Sequence, residues 1–211
     1  MDDLRILRLQ VVKRRAGERV VVELDNGSTV EVDPEIVVRC GVKSGAAISA
    51  ETVERLRYDD ELLRARRRLT KYLSLRVKSV ADARLYLERA GFRETIITAA
   101  IADTAERDLL DDQRFAERYV RTKLKTATVG PLRLVAELTA HGVDPSLAER
   151  VVAPQYDRAW QLRAAERLLR KRSQSRSGTD DEGSDKRLYE FLRRRGFEED
   201  VARELAQRST W

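Results

Sequence analysis

The side chains that could do chemistry in this sequence are few, and the scarcest are a thiol and an imidazole. Cys40 and His141 are each the single residue of their type. Such a pair can act as nucleophile and base, but one of each cannot form an intrachain disulfide or a Cys/His zinc cluster. Cys40 ends an apolar run before Gly41, which favours a buried thiol acting as a small hydrophobe. His141 precedes Gly142, and we predict that it caps a helix end.

Two pairs of adjacent aspartates, Asp59-Asp60 and Asp111-Asp112, are the other candidates. Paired carboxylates can bind a metal ion or act as acid and base, but adjacent residues at a helix start do not face each other. We predict that the first aspartate of each pair is an N-cap and that the second complements the helix dipole. The sequence also lacks the G-x-x-x-x-G-K-[ST], G-x-G-x-x-G, H-E-x-x-H and G-x-S-x-G motifs. We therefore expect no enzyme activity, no cofactor and no metal site.

The elements that must position these residues change in type along the chain. Alternating apolar residues in 4–13 and 20–24 predict strands, and Asn26-Gly27, a dipeptide favoured in type I′ turns, predicts a hairpin that continues through 28–33. Residues 1–48 are therefore predicted to form a small antiparallel β domain. From Ser49 onward the apolar spacing becomes helical.

A repeat follows in the helical part. Leu87–Phe92, Leu138–Val143 and Leu192–Phe197 share a leucine, three variable residues, a glycine and an apolar residue. Each fits a helix that ends at a left-handed glycine and is followed at once by another helix. In the second copy, Asp144-Pro145 supplies an N-cap and a first-turn proline.

A second short motif, a tyrosine or leucine followed by aspartate, recurs before each of these glycines, and we predict three helices in each repeat. Tyr58-Asp59, Leu110-Asp111 and Tyr156-Asp157 precede the three glycines, and the third copy is the longest. The prediction is a mainly α fold of three helix-turn-helix-like repeats in an elongated array after the β domain. We place the repeats at 49–108, 109–155 and 156–211. The extra length predicts a flexible insertion at about 173–185, for which an interdomain linker is the alternative.

Charge distribution is the strongest indication of a partner. The chain has 42 Lys+Arg, 36 Asp+Glu, a net charge of +6 and a pI near 9.6. Residues 64–78, 118–136 and 158–176 are basic windows with at most one acid each. A merely solvated face, the alternative, normally mixes signs, so an acidic or polyanionic partner is favoured. The candidate binding residues on the first helices and their exits are Arg64, Arg67, Lys71, Arg76, Arg121, Lys123, Lys125 and Arg133.

The middle of the chain carries a motif formed by Leu109–Arg121, then Gly130-Pro131, then Leu138–Gly142. This motif resembles the central motif of the RecX family, whose members are bacterial regulators of the RecA recombinase. Tyr72–Arg76 with Ser79, and Leu188–Phe197, extend the resemblance over roughly 55 to 208. The amino-terminal strands resemble an extension carried by part of the family, and the 173–185 insertion departs from shorter members.

The resemblance implies a non-catalytic protein that binds RecA, and especially its filament on single-stranded DNA. Family members restrain ATP hydrolysis, strand exchange and the coprotease activity of RecA in the SOS response. The family transfers no catalytic residue to this chain, and it leaves direct contact with DNA open. We expect a cytoplasmic protein, because no apolar run is long enough for a membrane span and no signal-peptide pattern is present. We also expect a monomer.

Two rival functions stay open. The first is a stand-alone DNA-binding helical-repeat protein with little sequence specificity, which the pI and the two-helix glycine turns favour. The second is an enzyme acting on nucleic acid, which would need a carboxylate cluster assembled from distant positions.

Overall fold

The computed structural model describes residues 4–15, 17–126, 128–174 and 184–208. The strands are β1 Leu4–Arg14, β2 Gly17–Leu24, β3 Thr29–Val32 and β4 Ala47–Ile48. The helices of the first half are α1 Pro34–Arg39, α2 Ala50–Leu75, α3 Val80–Arg89 and α4 Glu94–Glu106. Those of the second half are α5 Asp112–Thr126, α6 Pro131–Ala140, α7 Pro145–Val152, α8 Arg158–Gln174, α9 Ser184–Arg194 and α10 Glu199–Gln207, with a 3-10 turn at Ala153–Gln155. The predicted fold class, mainly α after a small antiparallel sheet, is confirmed.

The chain forms two compact units. One comprises Met1–Leu75 and Arg84–Arg107, and the other comprises Arg76–Ala83 and Asp108–Trp211. The helices follow the sheet in three groups of three along the chain, although the domain boundaries at 48, 108 and 155 stay a prediction.

The sheet of the first unit has the order β3-β2-β1-β4, with antiparallel pairing throughout. The predicted hairpin is present, with Val20 opposite Val32. Its turn differs from type I′, which needs a positive φ at both central residues. Gly27 has φ 80, whereas Asn26 has no positive φ. The Gly27 amide donates to the Leu24 carbonyl at 3.0 Å, so the loop is one residue longer than a type I′ turn.

The sheet packs its inner face against α1 and the start of α2. Apolar side chains from alternate strand positions meet those of the two helices in one core, which contains Ile6, Val22, Leu24, Val30, Val32, Ile36, Ile48, Val53 and Leu56. Cys40 packs at the edge of this core and is half-buried, and its Sγ lies 3.9 Å from Oδ2 of Asp59. The thiol is therefore less buried than the sequence predicted.

The glycine of each repeat has the backbone conformation that the sequence predicted. Gly91, Gly142 and Gly196 have φ values of 81, 78 and 85. In every copy the amide after the glycine donates to the carbonyl of the repeat's leucine, at 3.3, 3.1 and 3.2 Å in chain order. This hydrogen bond joins residues five positions apart and closes the helix end. It explains why the leucine and the apolar residue recur at fixed spacing.

Aspartate N-caps begin two of the three predicted first helices. Asp111 Oδ1 accepts from the Gln113 amide at 2.8 Å, and Asp157 Oδ1 accepts from the Trp160 amide. The prediction for Asp59-Asp60 is wrong, because both lie inside α2. That helix begins at Ala50, where Ser49 Oγ accepts from the Thr52 amide at 3.2 Å.

The predicted insertion has helical ends. Helix α8 continues to Gln174 and α9 begins at Ser184. The rest of that prediction, for residues 175–183, lies outside the described part of the chain. The helices that flank it, α8 and α9, pack in the same core together with α10, and this core is separate from that of the preceding three helices. One core is formed by α5, α6 and α7 around Phe115, Leu134 and Leu138, and another is formed by α8, α9 and α10 around Leu192 and Phe197.

Candidate functional site

Arg64 belongs to a buried ion-pair network in the first unit. Asp60 on α2 is 2% exposed. Its Oδ1 accepts from Arg19 Nη1 at 2.7 Å and from the Asp33 amide at 2.8 Å, while Oδ2 accepts from Arg19 Nη2 at 2.8 Å and Arg64 Nε at 3.0 Å. Burial raises the pKa of Asp60, but the hydrogen bonds from Arg19 and from the Asp33 amide outweigh it and lower that pKa below its ordinary value. Arg19 thus joins α2 to the sheet, and Arg64, which lies on α2 itself, is a second cation on the same carboxylate.

Arg67 is also engaged within the first unit. It pairs with Asp33, the N-cap of α1, and its Nη2 lies 2.9 Å from Oε2 of Glu35. Lys71 and Arg76, which follow it in the first basic window, are exposed. Within the described ranges, neither has a carboxylate within 4.0 Å. The four candidates of the first window are all exposed, but two form ion pairs within the unit and two form none among the described residues.

A second network ties two more candidates to Glu137 on α6. Glu137 Oε2 lies 2.7 Å from Lys123 Nζ and accepts from Tyr119 Oη at 2.8 Å, and Oε1 accepts from Arg133 Nε at 3.0 Å. Burial raises the pKa of Glu137, yet these three donors together lower it to about 2. Lys123 also lies over the Tyr119 ring, 5.2 Å from its centroid. This network joins α5 to α6.

Arg121 and Lys125 lie on a different face of α5, where they line a groove between α5 and α7. Both are exposed, and in the part of the chain that the structure describes neither forms an ion pair. Arg150 of α7 lines the same groove. The sequence prediction missed Arg150 because it follows Glu149 and lies outside every basic window. Its spacing from Leu147 and Val151 on one face of α7 is the signal that would have found it.

His141 holds the amino end of α3 within the second unit. It is the C-cap of α6, and its Nδ1 lies 3.1 Å from Oδ2 of Asp82. Its backbone carbonyl accepts from Ser79 Oγ at 2.6 Å. A Cβ added at Gly142 would stand 2.2 Å from Cβ of Ala81, so the methyl group of Ala81 packs directly on the Gly142 backbone. The predicted cap is present, together with contacts between distant segments that the sequence did not indicate.

The Asp111-Asp112 pair serves two helices. Asp111 caps α5, and Asp112 Oδ1 accepts from the Val80 amide at 2.9 Å, at the start of α3. Burial raises the pKa of Asp112 above its ordinary value although the Val80 amide lowers it. Among the described residues, no three His, Cys, Asp or Glu side chains are grouped as metal ligands would be. None of the described helices is both long and apolar enough to span a bilayer.

A small sheet followed by successive three-helix groups, closed by the same glycine turn, defines a helical-repeat protein. Residues 111–152 match the family model described as RecX, second three-helix domain. The chain belongs to the RecX family. The regulatory protein RecX of Halalkalibacterium halodurans is 34% identical over 147 residues, which are 68% of this chain and 55% of that protein. That of Clostridium botulinum is 27% identical over 205 residues, covering 96% of this chain and 95% of the relative.

Two solved structures share the fold. A crystal structure of regulatory protein RecX has a TM-score of 0.74 at 20% identity, with 97% of this chain and 98% of that chain covered. A crystal structure of RecX from Lactobacillus salivarius has a TM-score of 0.59 at 23% identity, with coverage of 71% and 96%. At these identities the likeness concerns the architecture alone.

Proposed function

We propose that this chain is a non-catalytic cytoplasmic regulator that binds RecA and the RecA filament on single-stranded DNA. On this proposal it mainly inhibits the ATPase, strand-exchange and SOS coprotease activities of RecA. The support is membership of a family whose members are named regulatory protein RecX. The observation on the chain itself is that Arg121 and Lys125 are exposed on α5 without a carboxylate partner among the described residues.

The eight candidate binding residues differ in whether they already form an ion pair within the chain, and this difference selects the proposed contact residues. Arg64, Arg67, Lys123 and Arg133 form ion pairs inside their own units. Since a cation already paired loses that partner when it binds another, these four contribute less to association. Lys71, Arg76, Arg121 and Lys125 are therefore the proposed contacts.

A titration of RecA ATPase on single-stranded DNA tests the proposal. Wild type should inhibit below stoichiometry, and Arg121→Glu/Lys125→Glu should need about tenfold more protein for the same inhibition, since reversing two exposed charges weakens an electrostatic contact. Lys43→Glu/Arg55→Glu is the matched control, because it also reverses one lysine and one arginine at exposed positions, in the first unit and away from α5. Absence of inhibition by the wild-type chain would contradict the proposal.

The DNA-binding rival makes a different prediction for the same cations. Retention on naked single-stranded DNA and on RecA-coated DNA should be compared at matched salt. A preference for coated DNA supports the RecA regulator. A preference for naked DNA that falls steeply as salt rises would favour the stand-alone DNA-binding protein, because phosphate contacts release counterions.

A further inference from the structure

The groove beside α5 combines apolar and cationic side chains in one place. It has a volume of about 540 Å³ and runs between α5 on one side and α7 with the following 3-10 turn on the other. We refer to it as the α5–α7 groove. Its lining residues are Gln113, Glu117, Val120, Arg121, Leu124, Lys125, Leu147, Arg150, Val151, Pro154 and Gln155.

The middle of the groove is apolar. Val120 is 2% exposed, Leu124, Leu147 and Val151 are half-buried, and Pro154 is exposed. These side chains come from both walls and repeat at helical spacing, so they form a continuous strip along the groove. An apolar strip of this kind gains free energy when a partner's apolar side chains cover it.

The rim of the groove is cationic. Arg121 and Lys125 are one turn apart on α5, and Arg150 faces the groove from α7. None of the three lies within 4.0 Å of a carboxylate oxygen in the described ranges. The one acid in the lining, Glu117, accepts a hydrogen bond from Gln113 Nε2 at 3.1 Å. Arg150 also donates to Ser146 Oγ at 3.3 Å. The groove lining therefore holds three cations and one acid beside an apolar strip, which is a net excess of positive charge.

We propose that the α5–α7 groove binds an acidic segment that carries bulky apolar side chains. A nucleic-acid backbone would pair with the three cations but leave the apolar strip uncovered. An uncharged apolar segment would cover the strip but would desolvate the cations without compensation. A segment with both features satisfies both parts of the groove, in the manner of an amphipathic helix laid into a helical groove. On the proposed function, on which this step rests, that segment belongs to RecA.

The ligand chemistry is tested with the full chain and synthetic probes. The main probe is a fluorescein-labelled amphipathic peptide of about 14 residues with glutamates on one face and leucines on the other. One control peptide replaces each leucine by serine, another replaces each glutamate by glutamine, and a third probe is oligo(dT). We expect the acidic-apolar peptide to bind at least about tenfold more tightly than either control peptide. Arg121→Glu/Lys125→Glu should weaken its binding about tenfold, and Lys43→Glu/Arg55→Glu, which lies in the first unit, should leave it unchanged.

Three results would overturn this ligand assignment. Equal binding of the serine peptide would mean that charge alone is recognised. Displacement of the bound peptide by oligo(dT) at lower concentration than by unlabelled peptide would assign the groove to nucleic acid. Peptide binding that survives the Arg121→Glu/Lys125→Glu change would place the contact elsewhere. All variants alter exposed side chains, and circular dichroism of each confirms that the helices are intact.

A competition with RecA separates this inference from the proposed function. The unlabelled acidic-apolar peptide should relieve inhibition of RecA ATPase by the wild-type chain, and the serine peptide should not. Inhibition that is untouched by saturating peptide would overturn the inference while leaving the proposed function standing. A wild-type chain that binds the peptide but never inhibits RecA would instead overturn the proposed function and the assignment of the segment to RecA.

Discussion

Asp60 Oδ1 lies 2.7 Å from Arg19 Nη1, which joins the middle of α2 to strand β2 through a carboxylate that is 2% exposed. The same carboxylate accepts from the Asp33 amide, just before α1. One side chain therefore connects a strand, a short helix and a long helix. Removing such a buried carboxylate lowers the free energy of unfolding mainly because its hydrogen-bond donors are then left buried without an acceptor.

Replacing Asp60 by alanine should destabilise the first unit strongly. The change leaves the part-buried Arg19 guanidinium and the Asp33 amide without their acceptor, which should cost about 2–4 kcal/mol in free energy of unfolding. Asp59→Ala is the neighbouring control. Asp59 pairs with the exposed Arg39 at 3.3 Å and contacts the Cys40 thiol at 3.9 Å, so its replacement should cost about 1 kcal/mol or less. Urea denaturation followed by circular dichroism measures both. Equal losses would contradict the role assigned to Asp60.

Glu137 should make the second unit sensitive to acid. Its pKa is lowered to about 2 in the folded chain from an ordinary value of 4.5. Because the folded pKa is depressed, the stability that this group contributes is complete above the unfolded pKa and is lost as the pH falls towards the folded one. The loss should therefore occur between about pH 5 and about pH 2.

The Glu137→Gln variant isolates this contribution from that of other acids. Urea unfolding of wild type and variant is compared at about pH 5 and about pH 3. The two free energies of unfolding should converge as the pH falls, since protonated Glu137 resembles glutamine in charge. A difference that stays constant over this range would contradict the assignment.

Asp112 should tolerate asparagine but not alanine. An asparagine keeps an oxygen that accepts from the Val80 amide, and it removes a charge whose burial raises the pKa of Asp112. We expect Asp112→Asn to leave the melting temperature unchanged or raise it slightly, and Asp112→Ala to cost about 1 kcal/mol through loss of the cap. Thermal unfolding of the two variants tests this, and a loss on Asp112→Asn as large as that on Asp112→Ala would show that the charge is needed.

Replacing Gly130 by alanine should destabilise the second unit. A Cβ at this position would stand 2.2 Å from the backbone carbon of Gly196. Its amide donates to the Arg195 carbonyl at 2.8 Å, so the two segments are tied together at this point. Gly130→Ala should therefore cost more than about 2 kcal/mol, because a backbone clash forces the segments apart.

Gly91 supplies the control for that change. It has a positive φ of 81, but a Cβ there meets nothing within 4 Å. Gly91→Ala should cost only about 1 kcal/mol, the conformational penalty of a left-handed residue with a side chain. Thermal unfolding of the two variants compares them, and similar melting temperatures would contradict the close approach at Gly130.

Local turn chemistry was predictable from the sequence. Gly142 and Asp144-Pro145 have the conformations expected of a helix end and a helix start, because the bonds that define them join residues only a few positions apart. The start of α5 at Asp112 also followed from the predicted cap at Asp111. The prediction that Asp59 is an N-cap was wrong because it depended on distant contacts. An aspartate at a helix start and one inside a helix that pairs with a distant arginine look the same in the sequence.

The basic windows are clusters of cations in the sequence, but in the tertiary structure neighbouring cations of one window face different parts of the molecule. Lys123 and Arg121 are two residues apart, yet one faces Glu137 of α6 and the other faces the α5–α7 groove. The sequence by itself determined the helical repeat and its family, because these depend on local periodicity and short motifs. Only the tertiary structure decided which cations are neutralised, since an ion pair depends on distances of a few ångströms between residues that the chain separates.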